Sequence, residues 1–347
     1  MFKVSTNIQD VLERWNLANN YFLNIRFLKV IYNYHPNIKH LFIINNDTRF
    51  YAQIFNLQFQ TAVNYLNGNL FYSFLMKYIR FNVLYLNNTF VTNIPAHQSN
   101  IIIDFEKMLS AIRQKYELIV IPDFLYHKLN IEESTYSRIE VEEEMVLRIR
   151  NNWKNWNDYY MDLRKKYRAN IRLIIAKSKD IEIKMLSRSD LDEYKNEIQS
   201  LFNQVVKQSK FSGPLFNTDA FIEFIEHEGF VIYGYFIENK LVGFTSEIDQ
   251  KDVLYSYYVG FDKKLNLSYS IYGRMLLETI RNAISLKKKK VVLGRTANEF
   301  KSNFGAEPKK SYVYIKINNR ILNYIFQPIF TSFKNPFWIQ RRPFRNR

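Results

Sequence analysis

Residues 230–261 read FVIYGYFIENKLVGFTSEIDQKDVLYSYYVGF. Phe230–Ile237, Leu241–Ile248 and Val253–Phe261 are runs rich in β-branched and aromatic residues, which suit a pleated, partly buried surface. Glu238-Asn239-Lys240 and Asp249–Asp252 interrupt them as short polar turns. Three strands joined as antiparallel hairpins are expected. Upstream, Ile181, Ile183 and Met185 alternate over Asp180–Leu186 and predict another strand. Asp190 is placed to cap a helix in which Leu191, Tyr194, Ile198, Leu201, Phe202 and Val205 recur at helical spacing. Ser212-Gly213-Pro214 breaks it, and Asn217 or Thr218 caps a short helix that ends at Gly229. Downstream, a helix is predicted over about Ser270–Leu286, burying Ile271, Met275, Ile280 and Ile284. Val291–Leu293 is a short apolar strand, Thr296 and Glu299 form a capping-box pattern before a brief helix ending at Gly305, and Tyr312–Ile317 is a last strand.

The order is strand, helix, helix, three strands, helix, strand, helix, strand. With VVLGRTA (291–297) ahead of FKSNFGA (300–306), it resembles the GNAT acyltransferase fold over about residues 180–317. The resemblance implies an α+β architecture, with a mixed, largely antiparallel sheet flanked by helices. It also implies a sheet that splays between its fourth and fifth strands, with the acyl cofactor in the cleft.

The first half carries weaker signals. Ile8–Leu17, Tyr21–Ile31 and Leu70–Tyr78 have helical spacing. His40–Ile44 with Arg49–Phe59, Asn82–Leu86 and Leu118–Ile121 look like strands, and Asp104 caps a helix bearing Phe105, Met108, Ile112 and Tyr116. This order is consistent with a degenerate copy of the same fold. Four units follow: a degenerate GNAT-like domain at 1–150, a long basic bridging helix at 151–179, a GNAT-like catalytic domain at 180–320, and a basic aromatic tail at 321–347. Two tandem GNAT-like domains resemble the Fem-like aminoacyl transferases of peptidoglycan crosslinking.

Charge and composition narrow the function classes. The 347 residues hold 49 Lys+Arg against 33 Asp+Glu, a formal charge of +16. The excess is local: residues 148–179 hold 10 basic and 2 acidic side chains, and residues 281–347 hold 16 and 2. Localised positive charge suits docking of an anionic donor or surface. Cysteine is absent, which excludes disulfides, cysteine-ligated metals and thiol catalysis. His35, His40, His97, His127 and His227 are scattered without a His-x-x-x-His pair, which points away from a metal site or a Ser-His triad. No Gly-x-Gly-x-x-Gly or Walker loop occurs. Met1–Asp10 has no apolar signal core, and no run approaches about 18 apolar residues. A cytoplasmic protein is expected, with possible contact at the inner membrane face.

Acyl transfer to an amine needs an oriented ester or thioester, a polarised carbonyl and a deprotonated nucleophile. The resemblance puts the polarising backbone N–H on Leu254–Val259. In the family, a glycine-rich turn after that strand holds pyrophosphate at a helix start. Here Asp262–Ser270 lacks glycine, leaving Lys263, Lys264 and the Ser268–Ser270 helix start as phosphate contacts, or an ordinary solvated turn. Arg295, just past an apolar strand, is a candidate clamp for a carboxylate or phosphate, and Lys301 could share that site. The competing reading is a surface arginine for Arg295 and, more strongly, a solvated helix face for Lys301. Glu247 is the best general-base candidate, ahead of Asp249 in the turn; the competing reading is a polar residue on a solvated face. Tyr257 and Tyr258 are expected on opposite faces, with Tyr258 a cleft candidate, and Tyr272 a candidate acid for the leaving group, against plain packing roles. The Lys287–Lys290 run reads best as cations at a helix C-terminus.

The tail carries Phe330, Phe333, Phe337, Trp338 and Phe344 among arginines. It suits a membrane interface or a stacked RNA strand, or else docks on the protein's own core. The expected reaction is N-acyl transfer from acyl-CoA or an acyl carrier protein to a small-molecule or peptide amine, without metal. The alternative donor is aminoacyl-tRNA, with Arg164, Lys165, Lys166 and Arg168 on the RNA backbone and a cell-wall precursor or peptide as acceptor. A third reading is a non-catalytic module that binds membrane or nucleic acid.

Overall fold

The computed structural model describes residues 2–15, 20–46, 48–58, 80–99, 102–126, 128–131, 135–206, 213–333 and 335–345. The helix expected at Leu70–Tyr78 lies outside them. The chain forms two compact units. One comprises Met1–Glu142, Lys210–Phe216 and Lys310–Pro336; the other comprises Glu143–Ser209, Asn217–Lys309 and Phe337–Arg347. Neither is one contiguous segment, unlike the divisions expected from sequence.

In the first unit, β1 (Lys3–Ser5), β2 (Lys39–Ile44), β3 (Thr48–Gln58) and β4 (Arg80–Tyr85) form an antiparallel run, and β5 (His97–Ser99) pairs the start of β3. β4 then pairs in parallel with β6 (Leu118–Pro122), and β6 pairs antiparallel with Val313–Ile317. The core gathers Leu41, Ile43, Phe50, Ile54, Leu84, Phe105, Met108 and Ile121. Each such side chain, fully buried, contributes about 1.5–3 kcal/mol. The helices here are shorter than periodicity predicted. Ile8–Val11 is a single 3-10 turn, Asn24 caps Ile25–Tyr34, and Asp104 caps only Phe105–Ser110.

The second unit repeats this strand plan. β8 (Glu182–Met185), β9 (Phe230–Ile237), β10 (Lys240–Gln250) and β11 (Val253–Phe261) are antiparallel neighbours. β11 pairs in parallel with β12 (Lys290–Val292), and β12 pairs antiparallel with Val146–Arg148 of β7 (Ser137–Arg148). In each unit an antiparallel run is thus followed by one parallel step and then one antiparallel strand. This is the α+β, tandem GNAT-like architecture. The strands after the parallel step differ in origin. Tyr312–Ile317, expected to close the C-terminal sheet, pairs with β6 instead. The second unit draws the corresponding strand from β7, which sequence reading passed over because Glu142–Glu144 obscures its alternation.

Two expected helices are divided. Residues 151–179 are not one rod: Trp156–Asp162 and Lys165–Lys177 are separated by extended backbone at Leu163 and Arg164. The C-terminal segment causes the break. Arg164 donates its N–H to the Pro343 carbonyl at 2.8 Å, and Arg345 donates to Asp162 O at 3.1 Å. The helix expected from Asp190 begins instead at the Ser187 cap, whose capping box Asp190 completes; it stops at Tyr194 and a second helix covers Lys195–Val206.

Candidate active site

β11 and β12 pair only over Val253–Tyr255 and Lys290–Val292. Beyond them, Ser256–Phe261 pair with β10 and, among the described residues, with no strand on the other edge. This is the splay at which the cleft is expected. The helix Ile271–Ser285 follows β11, and the turn Gly294–Ala297 follows β12.

That turn is tightly held. Gly294, Thr296 and Ala297 all have positive φ, at 71°, 65° and 51°. A Cβ on Gly294 would meet open space, so glycine serves the backbone conformation there, not close packing. Two successive non-glycine residues in the left-handed region are strained, a condition that clusters at functional sites. Lys301, 2% exposed, donates from Nζ to the carbonyl oxygens of Arg295 at 2.7 Å and Gly294 at 3.2 Å. Lys301 therefore braces the turn that carries half-buried Arg295; it is neither a solvated helix cation nor a group aimed at substrate. The Thr296/Glu299 capping box does not form, because Thr296 lacks the extended backbone of a cap. Glu299 pairs with Arg341 instead.

The opposing wall is aromatic. Tyr272 stacks between Phe261 (centroids 5.3 Å) and Phe300 (5.6 Å), and Phe300 meets Phe304 edge-on. Burial raises the Tyr272 phenol well above its ordinary value, so it stays protonated.

β11 carries a bulge. Thr245 pairs with Val259 and Glu247 with Ser256, so Ser246 faces both Tyr257 and Tyr258. The extra residue cancels strand alternation. Tyr257 and Tyr258 lie 4.5 Å apart on one face, against Phe224 and Phe202 respectively, not on opposite faces as expected. Glu247 points the other way, toward the helix Ile271–Ser285. It is 3% exposed and accepts from Asn282 Nδ2 at 3.0 Å. Desolvation raises its pKa, partly offset by Thr279 and Asn282. The three expected catalytic residues are therefore not assembled: Glu247 is interior, Tyr258 lies on the opposite sheet face, and Tyr272 lies at the cleft.

The expected phosphate loop is also changed. Lys263–Tyr269 is itself a helix, and Asp262 caps it by accepting from Lys264 N and Leu265 N, both at 2.9 Å. Lys263 N donates to Gln204 Oε1 at 3.1 Å. Ser268 lies inside this helix, not at a start. Ser270 is a left-handed joint (φ 49°), and Asn266 Oδ1 caps the next helix by accepting from Tyr272 N at 2.8 Å. Three main-chain N–H groups at the start of this loop are bonded to protein side chains, two of them to a carboxylate that would repel an anion.

The tail is largely docked. Phe330 is buried, Trp338 donates to Glu143 Oε2 at 2.9 Å, and Phe344 packs on Trp153 at 5.1 Å. Phe337 remains 93% exposed. Sequence reasoning missed Gln204, Asn266 and Asp262 as the loop's partners; the Asp-Lys-Lys order at 262–264 was the available sign of a capped helix.

The splayed sheet and the helix after the central strand are those of a GNAT-like fold. Residues 161–302 match the sequence profile described as the acetyltransferase (GNAT) domain, and the chain is a transferase by that domain. Solved structures of similar fold include the C-terminal domain (DUF2156) of a proposed lysylphosphatidylglycerol synthetase from Agrobacterium fabrum. It is 9% identical with TM-score 0.52, covering 94% of this chain and 98% of that one. FemX is 8% identical with TM-score 0.51, covering 94% and 100%. A conserved protein of unknown function from Bacteroides thetaiotaomicron is 12% identical with TM-score 0.50, covering 91% and 100%. At these identities the likeness is one of fold. No curated protein matches the chain in sequence. Among the described residues, no helix is long and apolar enough to cross a membrane.

Proposed function

We propose that the chain transfers an aminoacyl group from the 3′ ester of a tRNA to a substrate amine, such as that of a cell-wall precursor or peptide. The observation that carries this reading is the loop after β11, where Asp262 and Gln204 take the N–H groups of Lys263, Lys264 and Leu265. A donor lacking a nucleotide pyrophosphate does not need those groups. Exposed Arg164, Lys165 and Lys166 supply cations for an RNA backbone, whereas Arg168 is committed to the carbonyl oxygens of Leu163 and Met161. The whole-chain likeness to FemX, and to a domain named for synthesis of an aminoacylated lipid, supports the same reading.

In the reaction the amine nitrogen bonds to the ester carbonyl carbon, the carbon–oxygen bond of the ester breaks, and the ribose hydroxyl leaves with a proton. Arg295 is the proposed phosphate or carboxylate clamp, and Tyr272 the protonated donor at the cleft. Tyr258, on the other sheet face, is a packing residue in this reading. An acyl carrier protein is the second reading, since its prosthetic arm also lacks the nucleotide pyrophosphate and an acidic carrier complements the +16 charge.

The deciding experiment measures binding of tRNA, of an acyl carrier protein and of coenzyme A side by side. The proposal expects salt-sensitive tRNA binding weakened by Lys165→Ala with Lys166→Ala, and no thermal protection by coenzyme A. Protection by coenzyme A without tRNA binding overturns it.

A further inference from the structure

In the first unit, the helix Arg320–Thr331 turns its apolar side outward. Ile321 is 72% exposed, Tyr324 80%, Ile325 55% and Leu322 39%. Residues 321, 324, 325 and 328 fall on one helical stripe. The rest of the helix is anchored: Ile329 and Phe330 are buried, Phe326 meets Phe81 edge-on, and Asn323 bonds to Ile317 N and Thr135 O. A water-facing helix normally shows the reverse pattern, and a contiguous exposed apolar stripe marks a contact surface.

The charge around it selects the contact. Arg320 is the helix's only charged residue, Lys316 precedes it, and no Asp or Glu follows Glu307 in the sequence. A second copy of this chain would bring another +16 and repel. An anionic phospholipid surface matches both the apolar stripe and the basic flank. The helix has 12 residues, about 18 Å of rise against a hydrocarbon core of about 30 Å, so it lies along the interface and does not span it.

We infer that Arg320–Thr331 seats the protein on an anionic lipid surface through Ile321, Leu322, Tyr324 and Ile325. This corrects the part of the tail expected to face a membrane, since Phe330, Trp338 and Phe344 pack inward. The inference is independent of the donor.

The test is co-sedimentation of the full chain with vesicles of phosphatidylcholine alone and of phosphatidylcholine with phosphatidylglycerol. Wild type is expected to bind the anionic vesicles, and Ile321→Ser with Ile325→Ser to bind about tenfold or more weakly. Light scattering should give a monomer, and thermal unfolding should be unchanged because both side chains are exposed. Equal vesicle binding by the variant, no wild-type binding to anionic vesicles, or a wild-type dimer that the variant dissociates would each overturn the inference.

Discussion

The Ser246 hydroxyl spans the bulge at Tyr258, accepting its main-chain N–H at 2.9 Å and donating to its carbonyl at 3.0 Å. The bulge thus closes on a side chain from the neighbouring strand. Ser246→Ala leaves a buried N–H and C=O without this partner. It should cost about 1–3 kcal/mol, read as a lower denaturant midpoint. An unchanged midpoint would mean the bulge is held by other contacts.

Glu247 is buried with its pKa raised by desolvation. The folded state therefore holds this proton more tightly than the unfolded state, and stability falls as pH rises from the unfolded value toward the folded one. Glu247→Gln should stabilise the protein above that window and make little difference below it. Thermal unfolding at about pH 4 and pH 8 checks this, spanning the ordinary carboxylate value. Greater benefit at the acid end would contradict the sign.

Asp262 supplies two cap bonds to the helix Lys263–Tyr269. Asp262→Ala should lower stability by about 1 kcal/mol. It should also free Lys264 and Leu265 N–H groups, so inorganic pyrophosphate should protect the variant more than wild type in thermal unfolding. Equal protection would show that the carboxylate does not guard the loop.

Lys301→Met removes the ammonium that braces Gly294 and Arg295. Buried carbonyl groups lose their donor, at a cost of about 1–3 kcal/mol. If Arg295 clamps the donor, KM for the donor should rise while KM for the acceptor is unmoved. A change in acceptor KM alone would place the turn elsewhere in the reaction.

Gly305 has φ 92°, and a Cβ there would fall within normal contact of the Phe344 ring. That ring is wedged by Trp153 and lies under Arg150 at 4.5 Å. Gly305→Ala should destabilise by roughly 1–3 kcal/mol from overpacking and backbone strain. Comparing it with Gly305→Ala combined with Phe344→Leu separates the two causes by chemical denaturation.

The hairpins over Phe230–Phe261 were legible because local composition and turn residues determine them. Alternation failed at Tyr257 and Tyr258, since a bulge is set by the register with Ser246, which no single strand encodes. Helical spacing was read through Leu163 and Arg164 because neither Gly nor Pro marks the break; the partners lie at Pro343 and Arg345, far along the chain. Thr296 and Glu299 met a capping pattern by spacing, yet backbone sign and Arg341 decided their roles. The loop after β11 showed its lack of glycine, but not that Gln204 would reach it.

The route of the chain through the two units has a consequence for biosynthesis. The second unit takes Glu143–Ser209 and Asn217–Lys309, but also Phe337–Arg347, whose Phe344 packs against its core cluster. Lys310–Pro336, translated in between, belongs to the first unit. A nascent chain paused after residue 309 therefore lacks both the strand that pairs with β6 and the wedge against the second core. The first unit is completed only by Lys310–Pro336, and the second only by the stretch carrying Phe344 that follows it.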